Sequence, residues 1–223
     1  MLPLPLADLA PGSHSKLALD GPVGAMELLA DAPMTTAGIA VIGHPQPLLG
    51  GSAQHKIPQL LARGLQESGW LALRPNFRGV GASAGVHDAG LGEAEDVTWL
   101  VAEARACYPG RALALVGFSF GAFVMSRVAD RLFREHAPAS AVVLAGAPVG
   151  TVEAGRRYDP PALAPNTLVI HGERDAHVKL QPVLDWCGTQ NQAVMVVPGA
   201  DHFFTGRLPL LRSLIVSHLA ACA

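Results

Sequence analysis

Gly117-Phe118-Ser119-Phe120-Gly121 is the stretch of this chain best suited to covalent chemistry: a hydroxyl nucleophile with glycine two residues away on each side, between an apolar run and a segment of helical period. A serine held at an abrupt strand-to-helix turn adopts a strained backbone that tolerates little bulk at its neighbours two positions away, and glycine meets that need. Its side chain then stands above the carboxyl edge of a sheet, where the amides of the following helix face any developing anion. A tight turn with an N-capping serine has the same local pattern, so the assignment depends on partners elsewhere in the chain. A hydroxyl becomes a useful nucleophile when a base takes its proton. His202 meets that need from the loop Pro198-Gly199-Ala200-Asp201-His202-Phe203-Phe204, after the last apolar strand and before the last helix. Asp175, in the loop His171-Gly172-Glu173-Arg174-Asp175 after another strand, supplies the carboxylate that fixes the imidazole tautomer and stabilises the imidazolium. Glu173 is the alternative acid, and Asp201 reads as a turn residue. The chain order Ser, Asp, His, with each residue at a strand's carboxyl end, is what sets these three apart from ordinary loop residues.

These side chains need a parallel sheet to bring them together, and the rest of the chain alternates short aliphatic runs with longer helical ones, as such a sheet requires. The pattern predicts strands at Ala37 to Gly43, Trp70 to Arg74, Ala112 to Gly117, Ala141 to Ala145, Thr167 to His171 and Val194 to Val197. Between them, Ile57, Leu60, Leu61 and Leu65 mark one helix, and Ala94, Val97, Leu100, Val101 and Ala104 a second. A third runs from Phe120 to Phe133 and a last from about Leu208 to Leu219. Before Asp31, Leu17 to Leu19 and Ala25 to Ala30 suit one or two antiparallel edge strands.

Composition agrees with buried central strands. Half of the 223 residues are hydrophobic, 15% are charged and the net charge is -2, which suits one domain spanning 1–223 and gives no basic footprint for nucleic acid. Residues Met1 to Asp8 carry prolines and no positive n-region, so no export signal is expected, and no apolar run is long enough to span a bilayer. Cys107, Cys187 and Cys222 show neither close pairing nor metal-ligand spacing, and the histidines show no His-Glu-x-x-His pattern; a reduced cytoplasm, no metal and no cofactor are the expectation. Gly79-Val80-Gly81-Ala82-Ser83-Ala84-Gly85 fits a dinucleotide-binding loop poorly, because it does not open directly into a helix.

With the Ser, Asp, His order in place, the chain from about Ala37 onward resembles the α/β-hydrolase superfamily. His44-Pro45-Gln46-Pro47-Leu48-Leu49-Gly50-Gly51 and Asn76-Phe77-Arg78-Gly79-Val80-Gly81-Ala82-Ser83 look like the small lidless esterases related to dienelactone hydrolase. One position departs: dienelactone hydrolases proper use cysteine where this chain has Ser119, so a generic carboxylesterase role is implied instead. The resemblance implies a single-domain α/β fold with a mostly parallel sheet, helices on both faces and no cap domain. It also implies an oxyanion hole with one N–H from Phe120 and another from the loop after the first clear strand. Pro45 and Pro47 have no N–H, which leaves Gln46, with Leu48 in reserve. His44 reads as a loop brace.

The interval 146–166, where relatives insert a cap, is short and carries Pro148, Pro160, Pro161 and Pro165. An open, shallow site for small or short-chain esters is therefore expected. Arg156, Arg157 and Tyr158 read as a solvated charged loop rather than as a site for an acidic substrate. Hydrolysis through an acyl-enzyme on Ser119 is the expected reaction, with His202 as the general base. Thioesterase or acyltransferase use of the same residues, and a non-catalytic ligand-binding role, are the alternatives. A small-molecule ester is the expected partner, with neither nucleic acid nor membrane; a homodimer is left open.

Overall fold

The computed structural model describes residues 5–222. Eight strands form one sheet in the order β1-β2-β4-β3-β5-β6-β9-β10. In chain order the strands are β1 (His14–Gly21), β2 (Gly24–Asp31), β3 (Gly38–Gly43), β4 (Trp70–Pro75), β5 (Ala112–Phe118), β6 (Ala141–Ala145), β7 (Gly150–Thr151), β8 (Arg157–Tyr158), β9 (Thr167–Gly172) and β10 (Val194–Val197). The helices are α1 (Lys56–Glu67), α2 (Leu91–Cys107), α3 (Phe120–Arg134), α4 (Leu180–Gly188) and α5 (Leu208–Ala221). The β1–β2 hairpin joins β4 in antiparallel fashion, and every pairing from β4 across to β10 is parallel. Strands β3, β4, β5 and β6 are buried almost throughout, as expected of strands covered on both faces.

Two hydrophobic layers enclose that sheet. On one face, Val97, Leu100 and Val101 of α2 and Val124 and Val128 of α3 pack against Ile39, Val41, Leu71 and Leu115. On the other, Ile57, Leu61 and Leu65 of α1 and Leu211 and Ile215 of α5 pack against Ala40, Ile42, Val116 and Val143. From β3 the chain first passes through α1 to β4 on one side, and then returns through α2 to β5 on the other. The order of strands therefore reverses at β3, and the loops leaving β3 and β5 open onto the same crevice, the usual place for a ligand in such a sheet.

The expected strands and helices are present with ends shifted by a few residues, and the two N-terminal edge strands form the β1–β2 hairpin. Two features lie outside the expectation. Helix α4 follows the loop of Asp175, and β7 and β8 form a two-stranded antiparallel ribbon within 146–166, pairing Gly150 with Tyr158 and Thr151 with Arg157.

Candidate active site

Apolar β5 runs through the centre of the sheet and ends at Phe118, and α3 begins two residues later at Phe120. Ser119 between them has φ 55° and ψ -123°, a left-handed conformation rare for a residue with a side chain. Neighbouring backbone is too close for bulk at either flanking glycine. A Cβ on Gly117 would lie 2.4 Å from the Cα of Ala122, and one on Gly121 would lie 2.3 Å from the carbonyl oxygen of Gly43. The Ser119 N–H donates to the Ala145 carbonyl at 2.9 Å, which ties the turn to β6.

His202 and Asp175 reach Ser119 from the loops after β10 and β9. The Ser119 hydroxyl and His202 Nε2 are 2.9 Å apart, and His202 Nδ1 lies 2.7 Å from Asp175 Oδ2. The other carboxylate oxygen, Oδ1, accepts the N–H groups of His177 at 3.0 Å and Val178 at 2.7 Å. With one oxygen so occupied, the carboxylate presents the other to the imidazole, which favours a proton on Nδ1 and leaves Nε2 free to accept from the serine. Both His202 and Asp175 are buried, and the His202 ring lies against Phe118, Phe203 and His177 at centroid distances of 5.2 to 5.3 Å.

The two loops are stitched to each other. Glu173 and Arg174 donate backbone N–H groups to the carbonyls of Val197 and Ala200, and the Glu173 side chain accepts from the Gly199 N–H at 2.7 Å. Glu173 thus braces the histidine loop and does not approach the imidazole as the alternative acid would. Asp201 accepts from Thr205 N–H at 2.8 Å, the turn role expected of it, and that bond holds its carboxyl below the usual range. Beneath Asp175 lies His171, fully buried, with Nε2 2.9 Å from the Val178 carbonyl and 3.5 Å from Asp175 Oδ2. A carbonyl only accepts, so the proton sits on Nε2 and points toward the acid loop. Burial pushes the His171 pKa down and keeps the ring neutral. This residue was not among the sequence candidates; its one signal is a polar side chain closing an otherwise apolar strand.

On the other side of Ser119, Gln46 occupies the loop after β3, before the turn Pro47–Leu49. Among the described residues, neither the Gln46 nor the Phe120 backbone N–H has an acceptor, whereas the Leu48 N–H is directed at the Gln46 side-chain carbonyl at 3.4 Å. His44 braces this loop: its Nδ1 donates to the Pro45 carbonyl at 2.7 Å, and its Nε2 accepts from Phe77 N–H at 3.0 Å. Burial pushes its pKa down to about 4, which keeps the ring neutral and both bonds in place.

A cavity of about 190 Å³ opens beside Ser119, with Gln46, Phe120, His202 and Phe203 among its walls. Pro148, Val152 and Tyr158 line it from 146–166, so that short interval supplies part of the wall of a site without a cap domain. Tyr158 is buried and its hydroxyl accepts from Gln46 Nε2 at 2.8 Å, unlike the solvated residue the sequence suggested. Arg157 does follow that expectation, pairing with Asp159 in solvent, and neither Arg157 nor Arg156 lines the cavity. Among the described residues no cluster of His, Cys, Asp or Glu could hold a metal ion, and no helix is long and apolar enough to cross a membrane.

This arrangement has counterparts. Residues 48–160, which include Ser119, match the family model described as alpha/beta hydrolase fold. An uncharacterized protein of Rickettsia prowazekii (strain Madrid E) is 32% identical over 197 residues, covering 83% of this chain and 80% of that protein. A crystal structure from Xanthomonas campestris, described as an a/b serine hydrolase without lid, is 35% identical with a TM-score of 0.81, covering 96% of each chain. An alpha-beta serine hydrolase homologue from Coxiella burnetii is 30% identical with a TM-score of 0.78, covering 95% of this chain and 99% of that one. The sheet order, the strained serine at the strand-to-helix turn and these matches lead to one conclusion: the chain belongs to the α/β-hydrolase superfamily, among members without a lid domain.

Proposed function

We propose that this chain is a serine hydrolase that cleaves carboxylic esters with small or short-chain acyl groups. The observation that carries this is the unbroken hydrogen-bonded path from the Ser119 hydroxyl through the His202 imidazole to the Asp175 carboxylate. In the first half-reaction, His202 takes the hydroxyl proton as Ser119 Oγ attacks the ester carbonyl, and then gives it to the departing alcohol, leaving an acyl group on the serine. In the second, His202 takes a proton from water as the water oxygen attacks the acyl carbon, and then returns it to Ser119 Oγ as the acyl bond breaks and the acid departs. Asp175 stabilises the imidazolium in both.

The tetrahedral oxyanion is assigned to the free N–H groups of Phe120 and Gln46. Leu48 is the weaker candidate, because its N–H is directed at the Gln46 side chain. A cavity of about 190 Å³ and largely apolar walls support small, uncharged acyl groups as substrates. A series of p-nitrophenyl esters of increasing chain length tests this. The highest kcat/KM is expected for short acyl chains, with no turnover by Ser119→Ala; an optimum at long chains would contradict the size limit.

A further inference from the structure

Tyr158 is out of character with its surroundings. It comes from a ribbon whose two strands are two residues each, and its neighbours Arg157 and Asp159 are exposed, yet Tyr158 itself is only 6% exposed. Its ring packs edge-on against Phe123 at 5.1 Å and Phe120 at 6.3 Å, and its hydroxyl accepts the Gln46 side-chain amide at 2.8 Å. One phenol thus touches both residues whose backbone N–H groups are assigned to the oxyanion, and it lines the cavity beside Ser119 as well.

Gln46 needs such an anchor. It stands between two prolines, and its long side chain keeps considerable rotamer freedom unless the far end is held. An oxyanion donor is useful only when its direction is fixed before the charge develops, because reorientation during the reaction forfeits most of the benefit. We propose that Tyr158 is a positioning residue for the oxyanion hole, aiming the Gln46 amide through its side chain while its ring supports Phe120. The short ribbon after β6 would then assemble the transition-state site rather than simply bound it. This rests on the assignment of Ser119 as nucleophile.

Tyr158→Phe removes the hydroxyl and keeps the ring contacts, and Gln46→Leu removes the side-chain amide and keeps the backbone N–H. Each variant is expected to lose about ten- to a hundredfold in kcat on a short-chain ester, with KM within about twofold of the wild-type value. Affinity for an alkyl trifluoromethyl ketone should fall by the same factor as kcat. That probe accepts Ser119 Oγ at its carbonyl carbon, sends the hydroxyl proton to His202 and leaves the carbonyl electron pair as an oxyanion. The double variant should lose no more than Gln46→Leu alone, because that variant already lacks the bond to Tyr158 as well as the contact with the Leu48 N–H. Thermal melts of each variant establish that the fold is intact. Unchanged kcat in Tyr158→Phe, a loss confined to KM with ketone affinity preserved, or additive losses in the double variant would each overturn the proposal. Failure of the parent assignment looks different: wild-type enzyme would be inactive, or Ser119→Ala would keep its turnover and ketone affinity.

Discussion

On one side of Ser119, the groups proposed to move protons sit in loops leaving the adjacent parallel strands β9 and β10, and those loops are joined by three hydrogen bonds in addition to the one between His202 and Asp175. On the other side, the amides assigned to the oxyanion sit in a proline-flanked loop and at a helix start, braced by a ribbon with few bonds of its own. On the proposed assignment, the proton-moving half is a property of the sheet, and the charge-stabilising half depends on the short ribbon after β6. Damage to the first should remove a chemical step outright. Damage to the second should leave the chemistry in place but less effective.

Ser119→Ala tests that contrast most severely, with kcat expected to fall by on the order of 10⁶ while circular dichroism is unchanged. Asp175→Asn comes next: the amide cannot stabilise the imidazolium and allows the wrong tautomer, so steady-state kcat should fall by about 10⁴. A loss below tenfold would make Asp175 a structural residue only. Either effect should exceed that of Tyr158→Phe, and the reverse ranking would undo the distinction between the two halves.

The loop of Gln46 can also be probed through stability. His44 has a folded-state pKa of about 4 against 6.5 for the free side chain. Between those values the unfolded chain binds a proton that the folded chain refuses, so stability falls as pH drops from 6.5 to 4, by about 3 kcal/mol for this residue. His55 and His171, also lowered by burial, add to the same slope. His44→Gln should therefore show a shallower decline of Tm with acid than the wild-type protein; equal slopes would contradict a neutral buried brace. The smallest effect is expected at the ribbon's outer tie, where Glu153 meets the His177 ring in solvent. An exposed pair of this kind is worth under about 1 kcal/mol, so Glu153→Gln should lower Tm by no more than about 2 to 4 °C. Hydrogen exchange should nonetheless quicken at the Glu153 amide, which bonds to the His177 carbonyl, with little change at the Arg174 amide, which bonds to the Ala200 carbonyl.

The same division governs what could be read from the sequence. That Ser119, Asp175 and His202 would come together was legible because a buried parallel strand announces itself as an apolar run, and the loop that follows it must lie at the sheet's edge. The N-terminal hairpin was legible in outline but not in register, which sets Leu17 opposite Leu28 and Leu19 opposite Met26. Helix α4 was missed because Pro182 interrupts its first turn and only Val183 and Cys187 are buried along it, too few to form an apolar stripe. The ribbon was hidden by prolines and by strands too short for alternation to appear. Tyr158 was misjudged because its sequence neighbours are charged; its burial comes from Phe123 and Gln46, far away in the chain. Amides assigned to an oxyanion have no side-chain signature, so the loop after β3 came from the family resemblance, and the prolines beside Gln46 only narrowed the choice within it.

The central claim is that Ser119 is a nucleophile activated by His202, and intact-mass spectrometry after treatment with a fluorophosphonate probe addresses it most directly. One adduct per chain is expected, mapped to the peptide containing Ser119, absent from Ser119→Ala and formed far more slowly in His202→Ala. No adduct on the wild-type protein, or one on another residue that persists in Ser119→Ala, would contradict the claim.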